Sequence, residues 1–292
     1  MLYYKSLPVL YACAKGAQVL TTTGKLAHKD EDMKIFSRRV AETGQFLMFT
    51  LRQNTLRDPT ALHAILKVRL IHAAIRFFVR EKGWDQSLMG VPINQEDLAI
   101  TLQTFSSSII EGLEQTGIDL TREEKDAIMH HWKVNGHILG ISEQLMPDRF
   151  EDGQFLLNRI LRRQAARSEQ GEVLTKALVV FAQRLLPSRF KNAPALLIQY
   201  FVPRNVAVAI SLQSRMPWYI RYIPAFLTRL FNITAKLSDY NPDIRKALDQ
   251  ISGALVWAMI NYFNNYKEAP FFIPDDLKER WLAKYTWVKE LN

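Results

Sequence analysis

One stretch of the sequence decides the fold: Thr60-Ala-Leu-His-Ala-Ile-Leu-Lys-Val-Arg69-Leu-Ile-His72-Ala-Ala-Ile-Arg76-Phe-Phe-Val-Arg80. Pro59 precedes it and suits the first turn of a helix, where a missing backbone N–H costs nothing, and Asp58 is a suitable N-cap. Apolar side chains cover nearly the whole circumference of this helix. Such a pattern predicts a helix that is buried on all sides.

Three polar side chains interrupt this apolar surface. Arg69, His72 and Arg76 stand at positions i, i+3 and i+7 and therefore share one face of the helix. Guanidinium groups in a buried helix need partners, because an unpaired buried charge is very costly. Two partners fit the pattern: carboxylates of the same chain, or an anionic ligand that also takes a nitrogen donor, as haem does.

The composition predicts a helical protein with a large core. The chain has 292 residues, of which 48% are hydrophobic and 23% charged, and it contains only 12 glycines and 12 prolines. No run of alternating apolar and polar residues between turn residues indicates a strand, and no linker or internal repeat divides the chain. We therefore expect an all-α protein that forms a single compact helical domain over residues 1–292.

The spacing of apolar residues, together with the residues that end helices, predicts where the helices lie. Capping boxes start two of them, at Asn94 with Asp97 and at Thr121 with Glu124. The helix that Asn94 starts covers Leu98–Gln115, and the one behind Thr121 runs to about Gly140. The other predicted segments are Val9–Leu20, Asp32–Leu51, Arg149–Ser168, Val173–Leu186, Ala193–Val202, Asn205–Gln213, Tyr219–Leu237, Asp243–Tyr266 and Pro274–Tyr285.

Charge and cysteine content limit the partners and the compartment. The formal charge is +9, but no nucleic-acid-binding motif accompanies the dispersed basic residues, so we expect no nucleic-acid partner. No feature indicates a partner protein. Cys13 is the single cysteine, which excludes an intrachain disulfide and agrees with a reducing, cytoplasmic compartment. Met1–Gln18 lacks a signal-peptide layout.

Membrane contact is the remaining question that the charge pattern raises. Tyr219–Leu237 mixes basic with bulky apolar side chains, including Arg221, Arg229 and Phe226. This mixture allows peripheral contact with anionic lipid, or it is a half-buried helix whose long basic side chains reach the solvent.

Histidines cluster in the helix that begins after Thr121. His130, His131 and His137 fall within eight residues, and His130 and His137 share a face. Exposed or core histidines are the ordinary explanation of each one alone. Val134 occupies the place where a zinc-peptidase motif carries its second histidine, which excludes a zinc hydrolase of that type.

Three blocks together resemble the family of the fungal MpaB oxygenase and the bacterial latex-clearing rubber oxygenases. They are Lys67-Val-Arg-Leu-Ile-His-Ala-Ala-Ile-Arg76, Gly90-Val-Pro-Ile-Asn-Gln-Glu-Asp-Leu-Ala-Ile-Thr-Leu-Gln-Thr-Phe105 and His130-His-Trp-Lys-Val-Asn-Gly-His-Ile-Leu-Gly-Ile141. The resemblance implies a globin-like helical core at about 32–266, with residues 1–31 as an N-terminal segment and 267–292 as a C-terminal extension. It also implies one haem b, whose iron activates O₂, and cleavage of an unsaturated isoprenoid chain.

The resemblance also assigns residues, and here this chain departs from the family. Arg69 matches an arginine beside the haem, which can pair with a propionate. His72 stands where the rubber oxygenases have a distal lysine, and Gln103 where they have the proximal histidine. Glu42 and Asp58 are the nearest upstream carboxylates to their catalytic glutamate. The MpaB branch is closer, because it too has a histidine in the first block.

Three functions follow from these assignments. In the first, His72 is the iron ligand, Arg69 and Arg76 hold propionates or order water, and Gln103 with His137 or His130 contributes to the cofactor site. The chain is then a haem-dependent oxygenase for a hydrophobic isoprenoid or lipid substrate and O₂. In the second, the chain holds no functional haem and binds an apolar ligand without chemistry. In the third, His72 with Glu96 or Asp97 binds non-haem iron.

Overall fold

The computed structural model describes residues 1–22, 30–51, 59–184 and 186–213, together with a few single positions further along the chain. This part of the chain is helical, and its one β-type contact is an isolated bridge between Cys13 and Ala165. The prediction of an all-α, single-domain protein is confirmed. The predicted helices Tyr219–Leu237, Asp243–Tyr266 and Pro274–Tyr285, and the N-cap role of Asp58, lie outside the described residues.

Twelve α-helices follow one another in the described part. A short π-helical segment, Leu2–Ser6, precedes them. The helices are α1 (Leu7–Tyr11), α2 (Ala14–Thr22), α3 (Asp30–Thr50), α4 (Pro59–Glu81), α5 (Gln86–Met89), α6 (Gln95–Phe105), α7 (Ser107–Gln115), α8 (Arg122–Leu139), α9 (Phe150–Gln164), α10 (Glu169–Arg184), α11 (Ala193–Phe201) and α12 (Arg204–Ala209).

Capping residues mark the ends of α6 and α8 where the sequence predicted them. Asn94 caps α6 and exchanges hydrogen bonds with Asp97, and Thr121 and Glu124 do the same at α8. Gly140 ends α8 in the left-handed conformation, with φ of 84°, which glycine adopts without steric cost. Both capping-box predictions are confirmed.

Two predicted helices are each divided in two. The Val9–Leu20 segment breaks after α1, where the Ala12 carbonyl accepts a hydrogen bond from the Ala166 N–H at 3.1 Å. The Leu98–Gln115 segment breaks at Ser106, whose hydroxyl donates to the Leu102 carbonyl at 2.9 Å. Such back-bonding by a serine competes with regular helix geometry.

Two apolar clusters form the core of the described part of the chain. The larger joins α1, α2, α3, α6, α9, α10, α11 and α12, and includes Phe181 and Ile160. The smaller lies between α6, α8 and the turn after α8, around Leu102 and Trp132. Helix α4 lies outside both clusters and packs mainly on α3 and α8 among the described helices.

The prediction that α4 is buried on all sides is wrong. Within this helix only Ala61, Ile65 and Val79 are buried. Leu62, Leu66 and Leu70 form a stripe at a spacing of four residues, with exposed fractions of 38%, 44% and 44%. Helix α4 is therefore an outer helix with an apolar side open to contact. None of the described helices combines the length and apolarity that a bilayer crossing requires.

Gly153 tests how tightly α9 packs against α6 and α8. A Cβ at this position of α9 would lie 2.7 Å from Gln103 Oε1 and 2.8 Å from Met129 Cε. Gly153→Ala should therefore lower the free energy of unfolding by about 1–3 kcal/mol, as overpacking does. Denaturant titration measures this change.

Gly16→Ala is the matched control. A Cβ at Gly16 of α2 would meet its nearest atom, Cys13 Cβ, at an ordinary 3.8 Å. Alanine is the better helix former, so this variant should gain up to about 1 kcal/mol. Equal stability of the two variants would contradict the packing described for Gly153.

Candidate functional site

Arg69 joins α4 to the end of α8. Its Nη1 atom donates to the Ile138 carbonyl at 2.9 Å, which is one of the last carbonyls of α8 and has no partner within the helix. The guanidinium group also lies against Gly140, where an added Cβ would come within 3.1 Å of Arg69 Cζ. Gly140 is thus required twice, for its backbone conformation and for the space that Arg69 occupies.

Arg76 joins α4 to the turn before α6. Its Nη1 atom donates to the Ile93 carbonyl at 3.0 Å. Ile93 has a φ of 51°, in the left-handed region that β-branched residues rarely adopt. A residue held in such a conformation costs about 1–3 kcal/mol and persists only when its surroundings hold it there. The hydrogen bond from Arg76 is one of the contacts that hold Ile93 in this conformation.

Gln95 connects the two places that the arginines contact. Its Nε2 atom donates to the Gly140 carbonyl at 3.0 Å, and its Oε1 atom accepts from the Ser142 N–H at 2.8 Å. We call Arg69, Arg76 and Gln95, with the carbonyls that they bind, the polar rim. Sequence reasoning missed Gln95 and Ile93, although the Asn94 cap had placed both at the start of α6.

His72 lies on α4 between the two arginines. Its Nδ1 atom is buried and has no hydrogen-bond partner among the described residues. Burial, and then the charge of Arg76, lower the pKa of His72 to about 4. The imidazole is therefore neutral near pH 7. One of its nitrogens can coordinate a metal without first losing a proton.

The carboxylates that were expected beside the arginines are absent from the described part of the structure. Neither Arg69 nor Arg76 forms an ion pair there; each binds a backbone carbonyl instead. Burial and the charge of Arg69 lower the pKa of Arg76, as expected where like charges lie close without an anion. The prediction of intramolecular carboxylate partners is wrong for the described residues.

The two carboxylates proposed for non-haem iron are engaged elsewhere. Glu96 Oε2 accepts from Arg163 Nη2 at 2.7 Å, and Asp97 Oδ2 accepts from the Asn94 N–H at 3.0 Å. Across the described ranges, no group of three histidine, cysteine, aspartate or glutamate side chains could hold a metal ion. The described residues therefore offer no ligand set for non-haem iron.

Gln103 has a packing role in this structure, and its place beside a cofactor stays a prediction. It is 1% exposed, and its Oε1 atom accepts hydrogen bonds from Ser106 Oγ at 3.3 Å and Ser107 Oγ at 3.0 Å. Gly153 of α9 closes over the same oxygen, which leaves no room even for an added methyl group. The break at Ser106 turns these two hydroxyls towards the amide.

The histidines of α8 do not gather into one site. His130 and His137 are exposed, and their side chains make no hydrogen bond among the described residues. His131 Nε2 lies 3.1 Å from Asn135 Nδ2, and burial followed by the charge of His130 lowers the pKa of His131. Of the three, His131 alone has a defined side-chain partner, and that partner belongs to its own helix.

Comparisons with known proteins agree with the fold and with the three blocks. Residues 8–249 match the family model described as ER-bound oxygenase mpaB/B'/rubber oxygenase, catalytic domain. The rubber oxygenase of Streptomyces sp. (strain K30) is 27% identical over 117 residues, which are 39% of this chain and 29% of that protein. The chain therefore aligns with less than a third of that relative's length.

A solved structure shows the same architecture. The structure of latex clearing protein LCP in the closed state superposes with a TM-score of 0.65 at 20% identity. The match covers 78% of this chain and 61% of the other. At this identity the likeness shows a shared fold.

The neutral state of His72 predicts a pH-dependent stability. The unfolded chain binds a proton at His72 below its ordinary pKa of 6.5, whereas the folded chain does so only near 4. Between these values the unfolded state holds more protons, so stability falls as the pH falls, by up to about 3 kcal/mol. Urea titrations across this window should show a weaker pH dependence in His72→Phe. The exposed His63, also on α4, supplies the control: His63→Gln should keep the wild-type slope, and an unchanged slope in His72→Phe would refute the assignment.

Proposed function

The chain belongs to the family of the mpaB and rubber oxygenase catalytic domains, and on this basis we propose that it is an oxygenase that uses haem b and O₂ to cleave or oxidise an unsaturated isoprenoid or lipid chain. The family match supports the reaction class, because it covers residues 8–249 and includes α4, the polar rim and α8. The cofactor and the substrate are parts of the proposal.

The observation that carries the proposal is the state of His72. A buried ring nitrogen without a partner is costly in a folded protein, by about 1–3 kcal/mol. A ligand atom at the imidazole would compensate for that cost. The neutral side chain has an unprotonated nitrogen, which is the form that binds haem iron.

The neighbouring charges also suit this cofactor. A haem carries two propionates, and Arg69 and Arg76 lie one turn of α4 on either side of His72. Guanidinium groups pair with carboxylates through short, charge-assisted hydrogen bonds. When bound, haem would supply the activation of O₂, which no side chain of this protein can perform.

The chain's own residues would also shape the substrate site. Leu62, Leu66 and Leu70 present an exposed apolar stripe on the same helix. An unsaturated hydrocarbon chain can lie against such a surface and exclude water from it. His72 would fix the position of the reacting centre relative to that stripe.

A second function remains open because of Gln103. The amide stands where the resemblance places the family's proximal histidine, and its oxygen accepts hydrogen bonds from Ser106 and Ser107. A helical protein that binds an apolar ligand without haem would use the same apolar stripe. Cofactor content separates the two functions.

We expect the purified protein, expressed with haem supplied, to show a Soret band and about one haem per chain by pyridine haemochrome assay. His72→Ala should lose most of the haem, because it removes the proposed ligand. His131→Ala should retain it, since His131 contacts its own helix at Asn135.

Two outcomes would argue against the oxygenase. A wild-type protein that stays colourless and refuses added haemin would favour the binding protein. Unchanged haem content in His72→Ala would remove His72 as the ligand. With haem present, a screen of polyisoprenoid cleavage products in wild type and His72→Ala would then test the reaction itself.

A further inference from the structure

Helix α9 exposes a large aromatic side chain on the face opposite to its buried side. Phe155 is 66% exposed, the largest exposed fraction of any phenylalanine, tyrosine or tryptophan in the described part of the chain. The other side of α9 is buried through Leu157, Ile160 and Leu161, so the helix is held in the fold without Phe155. A single exposed apolar side chain is ordinary, and what distinguishes Phe155 is its surroundings.

Two exposed arginines lie on the same face as Phe155. Arg159 and Arg162 follow it at positions i+4 and i+7, a spacing that places the three side chains in one row along the helix. The Arg159 guanidinium lies over the Phe155 ring, with Cζ 5.8 Å from the ring centroid, within the range of a cation–π interaction. We call Phe155, Arg159 and Arg162 the α9 row.

The positive charge of the α9 row is not balanced by a carboxylate. Arg159 and Arg162 form no ion pair within the described ranges, whereas the neighbouring Arg163 pairs with Glu96 at 2.7 Å. The two carboxylates of α9 lie in its first turn, at the other end of the helix. The helix dipole accounts for basic residues near a helix C-terminus, but it does not account for an exposed phenylalanine beside them. An anionic partner would complement the two arginines.

An anionic lipid surface fits this combination better than an acidic protein does. Guanidinium groups bind phosphates through paired hydrogen bonds, and an aromatic ring is favoured at the boundary between headgroups and acyl chains. An acidic protein would also need an apolar pocket for the ring, whereas every bilayer has an apolar layer beneath its phosphates. The net charge of +9 attracts the whole chain to such a surface.

We propose that the α9 row is a peripheral contact for anionic lipid, in which Arg159 and Arg162 bind lipid phosphates and Phe155 enters the headgroup region. This surface belongs to a different part of the sequence from Tyr219–Leu237, whose composition first suggested membrane contact. It involves neither His72 nor the polar rim, so the proposal stands or falls separately from the oxygenase.

Vesicle binding tests the proposal. The full chain is mixed with vesicles of phosphatidylcholine alone, or of equal parts phosphatidylcholine and phosphatidylserine, and the bound fraction is measured by flotation. The mixed vesicles should bind more protein, and added salt should weaken that binding. Arg159→Gln and Arg162→Gln should each weaken it roughly fivefold, the effect of one basic residue near an anionic surface. Phe155→Ser should weaken it at high salt as well, because salt does not screen the apolar contribution.

Two variants elsewhere on the surface are the controls. Arg38→Gln removes an equal charge from an exposed arginine of α3, and Phe190→Ser removes another exposed aromatic ring. Both should bind vesicles like wild type. All the altered side chains are exposed, so the melting temperatures of the variants should equal that of wild type.

A fluorescent label locates the contact. Cys13 is the single cysteine and is 3% exposed, so a thiol-reactive dye selects a cysteine introduced on the surface. Asn158→Cys places an environment-sensitive dye beside the α9 row, and its emission should shift to the blue with the anionic vesicles. Lys176→Cys places the same dye on an exposed position of α10, where the emission should not change.

Three results would overturn the proposal: no preference for the anionic vesicles, equal losses of binding in the row variants and the controls, and binding without a change of emission at position 158. Soluble poly-glutamate tests the other class of partner. If it binds in a manner that depends on Arg159 and Arg162 but not on Phe155, while vesicles do not bind, the row is a contact for an acidic protein and the lipid proposal is refuted.

Discussion

The hydrogen bonds from two arginines of α4 to backbone carbonyls are the contacts on which the candidate site depends. Arg69 satisfies a carbonyl at the end of α8, and Arg76 satisfies the carbonyl of a left-handed isoleucine before α6. Helix α4 buries Ala61, Ile65 and Val79 on one side, and these polar contacts fix it further at the end of α8 and at the turn before α6. The position of His72 follows from them.

The interior and the site use polar groups in opposite ways. Gln103, Ser106 and Ser107 are buried and satisfy one another at the break between α6 and α7, as buried polar groups must. In the part of the chain that the structure describes, His72 Nδ1 has no partner, and the two neighbouring guanidinium groups have only neutral ones. A fully satisfied network stabilises a fold, whereas an unsatisfied one at the surface of the core can gain from a ligand.

The sequence predicted well those features that depend on residues close together in the chain. The Asn94 and Thr121 capping boxes depend on side chains three residues apart, and both ends are where the pattern placed them. The burial of α4 was predicted wrongly because an apolar circumference does not say whether another helix covers each side. Gln95 forms hydrogen bonds with Gly140 and Ser142, which lie 45 and 47 positions further along the chain. No local sequence pattern contains that information. The hydroxyl partners of Gln103 were not predicted, because the break at Ser106 has no strong sequence signal.

The charge of Arg76 raises a question about His72 once an anion is present. Arg76 contributes to the lowered pKa of His72, so an anion paired with Arg76 would cancel part of that contribution. Burial is the larger cause of the lowered pKa, and a bound ligand covers the imidazole further. The two effects on the pKa are therefore opposed, and the larger one keeps the imidazole neutral. Binding of an anion at the rim and coordination by His72 are compatible for this reason.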